Sequence, residues 1–304
     1  MSPRVALKKV LAVVALIGLL SAAYLLLIRS YQLRWGATDA EVRRPMPGDE
    51  LSLHPTFLAT RAITIEGTPA DIWPWLVQMG YGRAGFYGYD ILENLGSRRG
   101  LRSADTITDE LQRIAVGDPL PLSAVASLRV QAISPNDYLV WSGQTGEYPG
   151  AFTWALYPVD ARHTRLVSRI QWSHHWTPPA ALALDVFTEF TDFIAVRKIL
   201  QGVKGRVEGR VEPIARQNIE FAIYVWAFVS LLVAIGMVFW RPLTWPTWLT
   251  ALGAGLAWLI VWYAPIPMAT SVLANLVVLW GMYRGFVTPR TRTTPYHAAK
   301  RGSP

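Results

Sequence analysis

The sequence of 304 residues contains no cysteine, and only 16% of its residues are charged. Without thiols the chain cannot form a disulfide, a thiolate zinc site or a cysteine nucleophile. Soluble domains carry about a quarter charged residues, so we expect part of this chain to lie away from water. Because 52% of the residues are hydrophobic, disorder of the whole chain is excluded as well.

Histidine is also scarce, with five residues in the chain. The neighbours His174 and His175 fall at the end of a predicted strand, where successive side chains point to opposite faces and cannot converge on one metal ion. The sequence has no convincing Ser-His-Asp order, zinc-protease motif, glycine-rich nucleotide loop or carboxylate pair. We therefore predict neither a metal nor a cofactor, and we identify no catalytic residue.

Residues 1–29 are predicted to form a transmembrane signal anchor. The uncharged run 10–28 has 19 residues, which is long enough to cross a bilayer as a helix. A cleavable signal peptide is the alternative. We favour the uncleaved anchor because the run exceeds the usual apolar core of a signal peptide, and because Ser21-Ala22-Ala23 is followed by further leucines.

Residues 209–285 are predicted to hold three more membrane-spanning helices, at about 220–240, 245–263 and 267–283. The stretch 242–283 has 42 uncharged residues, and a proline-rich break near its middle divides it into two crossings. Tryptophans cluster near the predicted helix ends, as is typical of a membrane–water interface. A buried helical core of a soluble protein is the alternative that these tandem runs disfavour.

The distribution of charge predicts the orientation of these helices. The segments 1–9, 241 and 284–304 carry basic but no acidic residues, whereas 29–220 holds all 21 acidic ones. By the positive-inside rule, four crossings place both termini, with the basic tail 286–304, in the cytoplasm and the intervening region outside. The arginines that flank the first helix argue the other way: Arg29, Arg34, Arg43 and Arg44. The net charge of +8 thus follows from topology, and we predict no nucleic-acid partner.

Residues 56–208 are predicted to form an α+β domain, joined to the first helix by an extended polar connector, 30–55. The sequence Thr68-Pro69-Ala70-Asp71 is typical of a helix start, with threonine as N-cap and proline at the first helical position. The helix that follows is expected to place one apolar face, with Trp75 and Leu76, towards the core.

The rest of this domain has a pattern of strands followed by one long helix. A second short helix is predicted at 87–95, and strands at 59–66, 127–133, 137–142, 151–158 and 164–172. A long amphipathic helix is predicted at 182–200, with Asp185, Glu189 and Asp192 on its solvent-facing side.

Four stretches resemble a known superfamily: 68–90, which begins Thr-Pro-Ala-Asp-Ile-Trp-Pro-Trp, and 103–110, 116–118 and 47–51. They are similar to the polyketide cyclase/dehydrase and lipid transport branch of the START-like (SRPBCC) superfamily, and 47–51 to its membrane-anchored bacterial members. The resemblance covers about 45–208. It implies a helix-grip fold, in which a curved antiparallel sheet surrounds the long C-terminal helix and leaves a hydrophobic cavity. Such a scaffold hosts many functions.

Ten residues are candidates for binding a hydrophobic ligand in such a cavity. They are polar or aromatic residues in or just after the first helix of the domain, or on and at the ends of the predicted strands. The set is Trp75, Gln78, Arg83, Tyr87, Tyr89, Trp141, Trp154, Arg169, Trp172 and His174. Ordinary structural roles are the alternative: aromatic residues that fill the core, and Arg83 paired with Asp90 or Glu93.

Three functions are compatible with this organisation. The leading hypothesis is a non-enzymatic domain, anchored in the cell membrane, that binds or transfers a lipid, an isoprenoid or a polycyclic molecule. The second is an enzyme of the polyketide cyclase or dehydratase type, with Arg83, Tyr87 or Tyr89 and His174 as its polar groups. The third is a structural or regulatory membrane protein whose globular domain binds an unidentified protein partner.

Overall fold

A computed structural model describes residues 2–93, 102–143, 150–173, 181–241 and 244–287, without the side chains of 93, 181–187 and 286. The chain separates into two compact units. One, the helical unit, consists of Met1–Ser21 and Ile223–Pro304, and the other, the globular unit, of Ala22–Ala222.

The described chain has the following elements. The helices are α1 (Pro3–Ala23), α2 (Arg29–Leu33), α3 (Asp39–Arg43), α4 (Pro69–Gln78), α5 (Asp90–Glu93), α6 (Ala181–Val207), α7 (Ile214–Trp240), α8 (Trp245–Tyr263) and α9 (Met268–Val287). The strands are β1 (Phe57–Glu66), β2 (Pro119–Pro121), β3 (Ser127–Ser134), β4 (Tyr138–Ser142), β5 (Gly150–Pro158) and β6 (His163–Trp172). Single 3₁₀ turns occur at Asp49–Leu51 and Asp109–Leu111.

Three helical segments of the described chain are long and apolar enough to cross a membrane: Pro3–Leu33, Ile214–Trp240 and Trp245–Tyr263. They correspond to the first three predicted spans. The fourth predicted span also forms a helix, α9, but it is not among these three segments. Polar residues within it, among them Asn275 and Arg284, lower its mean hydropathy.

The N-terminal span is interrupted by a π-helical turn, Tyr24–Ile28, between α1 and α2. Near its beginning, Lys9 donates hydrogen bonds from Nζ to the carbonyl oxygens of Phe239, at 2.5 Å, and Arg241, at 2.7 Å. The last carbonyls of a helix lack intrahelical partners and attract cations. Lys9 therefore satisfies the end of α7 and joins it to the beginning of α1.

The six strands form one antiparallel sheet in the order β1-β6-β5-β4-β3-β2. The first strand lies beside the last, and the two pair from Phe57↔Trp172 to Glu66↔His163. Five of the strands match the predicted ones to within two residues at each end. The sequence analysis missed β2, a three-residue edge strand bounded by prolines, because its alternation is too short to recognise.

The two faces of the sheet pack against different parts of the chain. The inner face carries the main hydrophobic core, which the sheet shares with α4 and α6. Its members include Ala59, Trp141, Trp154, Leu156, Leu166 and Ile170 from the strands, and Val196, Ile199, Leu200 and Val203 from α6. The outer face carries a small cluster in which Ala62, Ala155 and Val167 pack against Met46.

The start of α4 confirms the helix signal found in the sequence. Thr68 accepts a hydrogen bond from the backbone N–H of Asp71, and the Asp71 side chain accepts one from the backbone N–H of Thr68. This reciprocal capping box satisfies two backbone donors that the helix leaves unpaired. The predicted apolar face is buried, with Ile72, Trp75 and Leu76 all at most 8% exposed.

The prediction that three acids of α6 face solvent is wrong for two of them. Glu189 is 7% exposed, and the Asp192 side chain is 14% exposed. Both carboxylates pair with arginines from earlier in the chain: Glu189 with Arg29 and Asp192 with Arg61. Sequence periodicity marks these positions as polar, but it carries no information on partners more than a hundred residues away.

The connector is also not extended as expected. It contains α3 and a 3₁₀ turn, and its Met46 is buried at 4% exposure against the outer face. The Thr38 side chain caps α3 through a second capping box with Glu41. Prolines and glycines in this segment therefore mark tight turns of a packed strap rather than a free linker.

Arg169 holds this strap on the outer face of β6. Its guanidinium donates to the carbonyl oxygens of Glu41 (2.9 Å), Val42 (2.9 Å) and Arg44 (2.8 Å) and to the carboxylate of Asp49 (2.7 Å). The side chain is 5% exposed. One buried cation thus satisfies three backbone carbonyls and one carboxylate that would otherwise be buried without partners.

Replacing Arg169 by alanine should destabilise the globular unit strongly. Removal of one partner from a buried charged network costs about 3–5 kcal/mol, which corresponds to a fall of roughly 10 °C in the thermal midpoint of a unit of this size. Thermal unfolding of the full chain in detergent measures the change. Arg129→Ala is the control, because the exposed Arg129 makes one hydrogen bond, to the carbonyl of Gly117. Equal midpoints for the two variants would contradict the role of Arg169.

Candidate ligand-binding site

A transverse row of polar residues crosses the apolar inner face of the sheet. Trp154 on β5 lies directly opposite Ser168 on β6, and Ser168 lies directly opposite Arg61 on β1. Side chains of directly opposite residues share one face, with Cβ atoms about 5 Å apart. We call Arg61, Ser168 and Trp154 the inner-face row.

Each member of the inner-face row has a buried hydrogen-bonding group without a partner among the described residues. These groups are Nη2 of Arg61, Oγ of Ser168 and Nε1 of Trp154. Nε1 of Trp141, on the adjacent strand, is in the same situation. The four residues are at most 1% exposed. Buried polar groups in folded proteins are nearly always paired, so four on one face form an unusual cluster.

The remaining hydrogen bonds of Arg61 hold its guanidinium in place. Nη1 donates to Oδ2 of Asp192 at 2.6 Å, and Nε donates to the backbone carbonyl of Gln32 at 2.8 Å. The guanidinium carbon lies 5.5 Å from the ring centroid of Phe193. Burial raises the pKa of Asp192, and the charge of Arg61 opposes that shift. Arg61 is therefore anchored on two sides while Nη2 is unpaired among the described residues.

Three aromatic rings form a wall next to the row. Phe152 stacks on Trp154 with ring centroids 4.8 Å apart, and Trp141 meets both rings edge-on, at 5.3 and 5.8 Å. Phe152 shares the inner face with Trp154 and is partly buried. We call Trp141, Phe152 and Trp154 the aromatic wall. It offers flat apolar surface beside polar hydrogen atoms.

A second buried polar cluster lies beside Arg61. Glu189 accepts hydrogen bonds from the Tyr24 hydroxyl at 2.7 Å and from Nη2 of Arg29 at 2.6 Å. Gln32, which is fully buried, donates from Nε2 to the Tyr24 hydroxyl at 2.8 Å. The cluster joins the π-helical turn and α2 to α6, and the Gln32 carbonyl, which accepts from Nε of Arg61, connects it to the row.

Two of the predicted site residues, Gln78 and Arg83, fasten loops to the end of α4. Gln78 is fully buried; its amide donates to the carbonyl of Thr106 and accepts from the backbone N–H of Thr108. Arg83 donates to the carbonyls of Met79, Val77 and Leu111, at 3.1 to 3.2 Å. Burial lowers the pKa of Arg83, and the nearby charge of Asp118 opposes that shift. These contacts describe a structural role for both side chains.

Two other predicted site residues, Trp75 and Tyr87, contact each other, and Tyr87 packs against Gly202 of α6. Their rings meet edge-on at 5.8 Å, and the Tyr87 hydroxyl donates to the Trp75 carbonyl at 3.0 Å. Tyr87 has a φ of 63°, in the left-handed region that costs free energy for a bulky residue. Its carbonyl lies where a Cβ on Gly202 would fall, 2.0 Å away. Only glycine at 202 allows α6 to approach this loop so closely.

The other predicted residues are spread over the domain. Tyr89 is buried, with its ring 5.8 Å from Phe221 and 5.0 Å from Nζ of Lys198. Trp172 is partly buried at the end of the inner face, and Arg169 lies on the outer face, in the strap. His174 lies outside the described residues. The structure thus brings Trp141 and Trp154 together, places Trp75 with Tyr87, and separates Arg169 from all of them.

The sequence analysis missed Arg61, Ser168 and Asp192. A signal for the first two exists, since both occupy inner-face positions in strands whose neighbours on that face are apolar: Ala59 and Ile63 beside Arg61, Leu166 and Ile170 beside Ser168. A charged or hydroxyl side chain in such a position requires a partner. The partner itself, Asp192, could not be assigned without the fold.

No metal site is formed within the described ranges: no group of three or more His, Cys, Asp or Glu residues there is arranged to hold an ion. The donor groups that the inner face offers are N–H and O–H groups. They are suited to an oxygen acceptor rather than to a cation.

Comparison with solved structures finds proteins that are similar to this chain, but with low TM-scores and low sequence identity. No protein-family model and no curated protein matches the sequence. A START superfamily protein from Mycobacterium smegmatis is 13% identical, over 50% of this chain and 97% of that one, with a TM-score of 0.31. An aromatase/cyclase from Streptomyces sp. R1128 is 12% identical, over 51% and 96%, with a TM-score of 0.31.

A polyketide cyclase-like protein from Corynebacterium glutamicum gives similar values: 13% identity, over 50% of this chain and 91% of that one, with a TM-score of 0.28. At these identities and TM-scores, no statement about this chain rests on the matches. The α+β architecture with one antiparallel sheet rests on the strand pairing alone.

Removal of the Ser168 hydroxyl should not destabilise the protein. An unpaired buried hydroxyl costs free energy, so Ser168→Ala is expected to leave the thermal midpoint of the full chain unchanged or to raise it by a few degrees. Ser142→Ala is the matched control on the outer face of β4, where the hydroxyl donates to Oε1 of Gln131 at 3.2 Å. That variant should lose about 1 kcal/mol. A larger loss for Ser168→Ala than for Ser142→Ala would contradict the unpaired state of Ser168.

Proposed function

We propose that the globular unit is a START-like domain that binds or transfers a hydrophobic small molecule, such as a lipid, an isoprenoid or a polycyclic compound, next to the membrane that anchors the chain. The observation that carries this proposal is the aromatic wall. Two tryptophans, each fully buried on the inner face, have indole N–H groups without partners among the described residues. Ligand sites for apolar molecules combine such aromatic surface with a few polar groups.

Membrane anchoring gives the proposed binding a physical rationale. The described chain has three helical segments with the length and composition of membrane spans, and we propose α9 as a fourth. A tethered domain meets molecules dissolved in the bilayer at high effective concentration, so modest affinity suffices for exchange. The basic termini and the acidic content of 29–220 support a globular unit outside the cytoplasm.

Binding is favoured over catalysis by the contacts of Arg83 and Tyr87, two of the polar residues that an enzyme was expected to use. The Arg83 guanidinium donates to three backbone carbonyls, and the Tyr87 hydroxyl donates to one. A general acid or base must instead be within hydrogen-bonding reach of the substrate. Our proposal therefore assigns no reaction to this domain.

Binding of a simple apolar probe tests the proposal. We expect 1-butylpyrene to bind the full chain, purified in dodecyl maltoside, saturably and near one molecule per chain, as followed by energy transfer from tryptophan to pyrene. Trp154→Leu should weaken binding by roughly tenfold, because it removes one ring of the wall.

The control variant for this measurement is Trp280→Leu, which removes an exposed ring on α9, 63% of it accessible. It should change the amplitude of energy transfer but not the midpoint of the titration. Transfer that is the same for the heat-unfolded chain, or a midpoint that Trp154→Leu leaves in place, would refute binding at the aromatic wall.

The proposed orientation can be tested by cysteine labelling, since the natural chain has no cysteine. We expect Val125→Cys, at a site that is 97% exposed in the globular unit, to react with a membrane-impermeant maleimide in intact cells. Arg301→Cys, in the basic tail, should react only after the membrane is permeabilised. The reverse pattern would place the globular unit in the cytoplasm.

A further inference from the structure

The inner-face row brings together polar groups that are buried and have no partner within the part of the chain that the structure describes. A buried donor without a partner costs about 1–3 kcal/mol of folding free energy. An apolar side chain of similar size at the same position would avoid that cost. The row does not lie in a loop, since its three members lie on three adjacent strands in one register, from Arg61 on the edge strand β1 to Trp154 on β5. Such a cost, repeated three times at neighbouring positions, points to a binding role.

The chemistry of the row specifies what it can bind. Nη2 of Arg61 and Nε1 of Trp154 are donors only, and the Ser168 hydroxyl between them can donate as well. Nε1 of Trp141 adds a further donor beside the row. The matching group is therefore an acceptor, and the guanidinium makes one of these hydrogen bonds charge-assisted.

We propose that the inner-face row is the subsite for an oxygen acceptor, a carbonyl or a carboxylate, on the hydrophobic ligand whose apolar body packs on the aromatic wall. This inference rests on the function proposed above and makes it more specific. The ligand is then amphipathic, with its oxygen buried on the inner face, beside β1, β6 and β5, rather than at the solvent.

The charges around the row are compatible with both acceptor types. The positive charge of Arg61 is opposed by Asp192, at 2.6 Å, so a neutral carbonyl oxygen can occupy the subsite without leaving a charge unbalanced. Glu189, the other nearby acid, is paired with Arg29. A carboxylate would add a second negative partner for the guanidinium. The two acceptors are separate arms of the test.

Three probes with the same pyrene ring and alkyl chain separate these contributions: 1-pyrenebutanoic acid, its methyl ester and 1-butylpyrene. Each is titrated into the full chain in dodecyl maltoside, with probe partition into empty micelles subtracted. We expect at least one of the oxygen-bearing probes to bind roughly tenfold more tightly than 1-butylpyrene. A preference for both the acid and the ester identifies a carbonyl acceptor, and a preference for the acid alone identifies a carboxylate.

Two conservative variants test the assignment of this preference to the row. Ser168→Ala removes the central hydroxyl, and Trp154→Phe removes the indole N–H but keeps an aromatic ring. Each should reduce the preference, measured as the ratio of the two affinities, by about fivefold to tenfold. Ser168→Ala should leave 1-butylpyrene binding nearly unchanged, whereas Trp154→Phe, which makes one ring of the wall smaller, should weaken it by about twofold. Ser142→Ala, on the outer face of the same sheet, should alter neither.

The outcomes separate this inference from the function on which it rests. Equal affinities for all three probes, or a preference that persists in both variants, would overturn the subsite. The polar groups of the row would then be assigned to a buried water molecule, and the proposed binding of apolar molecules would stand. Failure of every probe to bind saturably would refute the proposed function, and the subsite with it. Loss of 1-butylpyrene binding together with the preference in both variants would also overturn the subsite, because the two side chains would then support the apolar body of the ligand and not its oxygen.

Discussion

The pairing of β1 with β6 determines what each face of the globular unit can do. These strands are about a hundred residues apart in sequence, and their register runs from Phe57↔Trp172 to Glu66↔His163. Because a shift of one residue would exchange the two faces, this register alone directs Arg61 and Ser168 inwards and Arg169 outwards. Everything described for the two faces depends on it.

The two faces of the sheet differ in how far their buried polar groups are hydrogen-bonded. On the outer face, Arg169 donates to the strap through Nη1 and Nη2 and to the Thr60 hydroxyl of β1 through Nε. On the inner face, Arg61 leaves Nη2 without a partner among the described residues, beside the equally unpaired groups of Ser168 and Trp154. A fully satisfied cation is a structural device, whereas a cation held firmly on two sides with one donor unused is organised for a further partner.

The sequence predicted what depends on local patterns. The capping box at Thr68 and five of the six strands follow from residues adjacent in the chain. The packed strap, the burial of Glu189 and the inner-face row depend on contacts across more than a hundred residues, which periodicity does not encode. The same limit explains the candidate site, because residue type indicates neither the face nor the neighbours of a side chain. Trp141 and Trp154 contact each other on the inner face, whereas Arg169 lies on the outer face.

The central claim is that the indole N–H groups of the aromatic wall, which have no partner in the described ranges, contact a ligand. Nuclear magnetic resonance of the full chain with ¹⁵N-labelled tryptophan indoles tests it directly, with signals assigned through Trp141→Phe and Trp154→Phe. On addition of 1-pyrenebutanoic acid, the account predicts that the Nε1–H signals of Trp141 and Trp154 shift, while that of Trp262, already bonded to the Tyr224 carbonyl at 2.9 Å, does not. Unchanged signals for both wall tryptophans at saturating probe would contradict it.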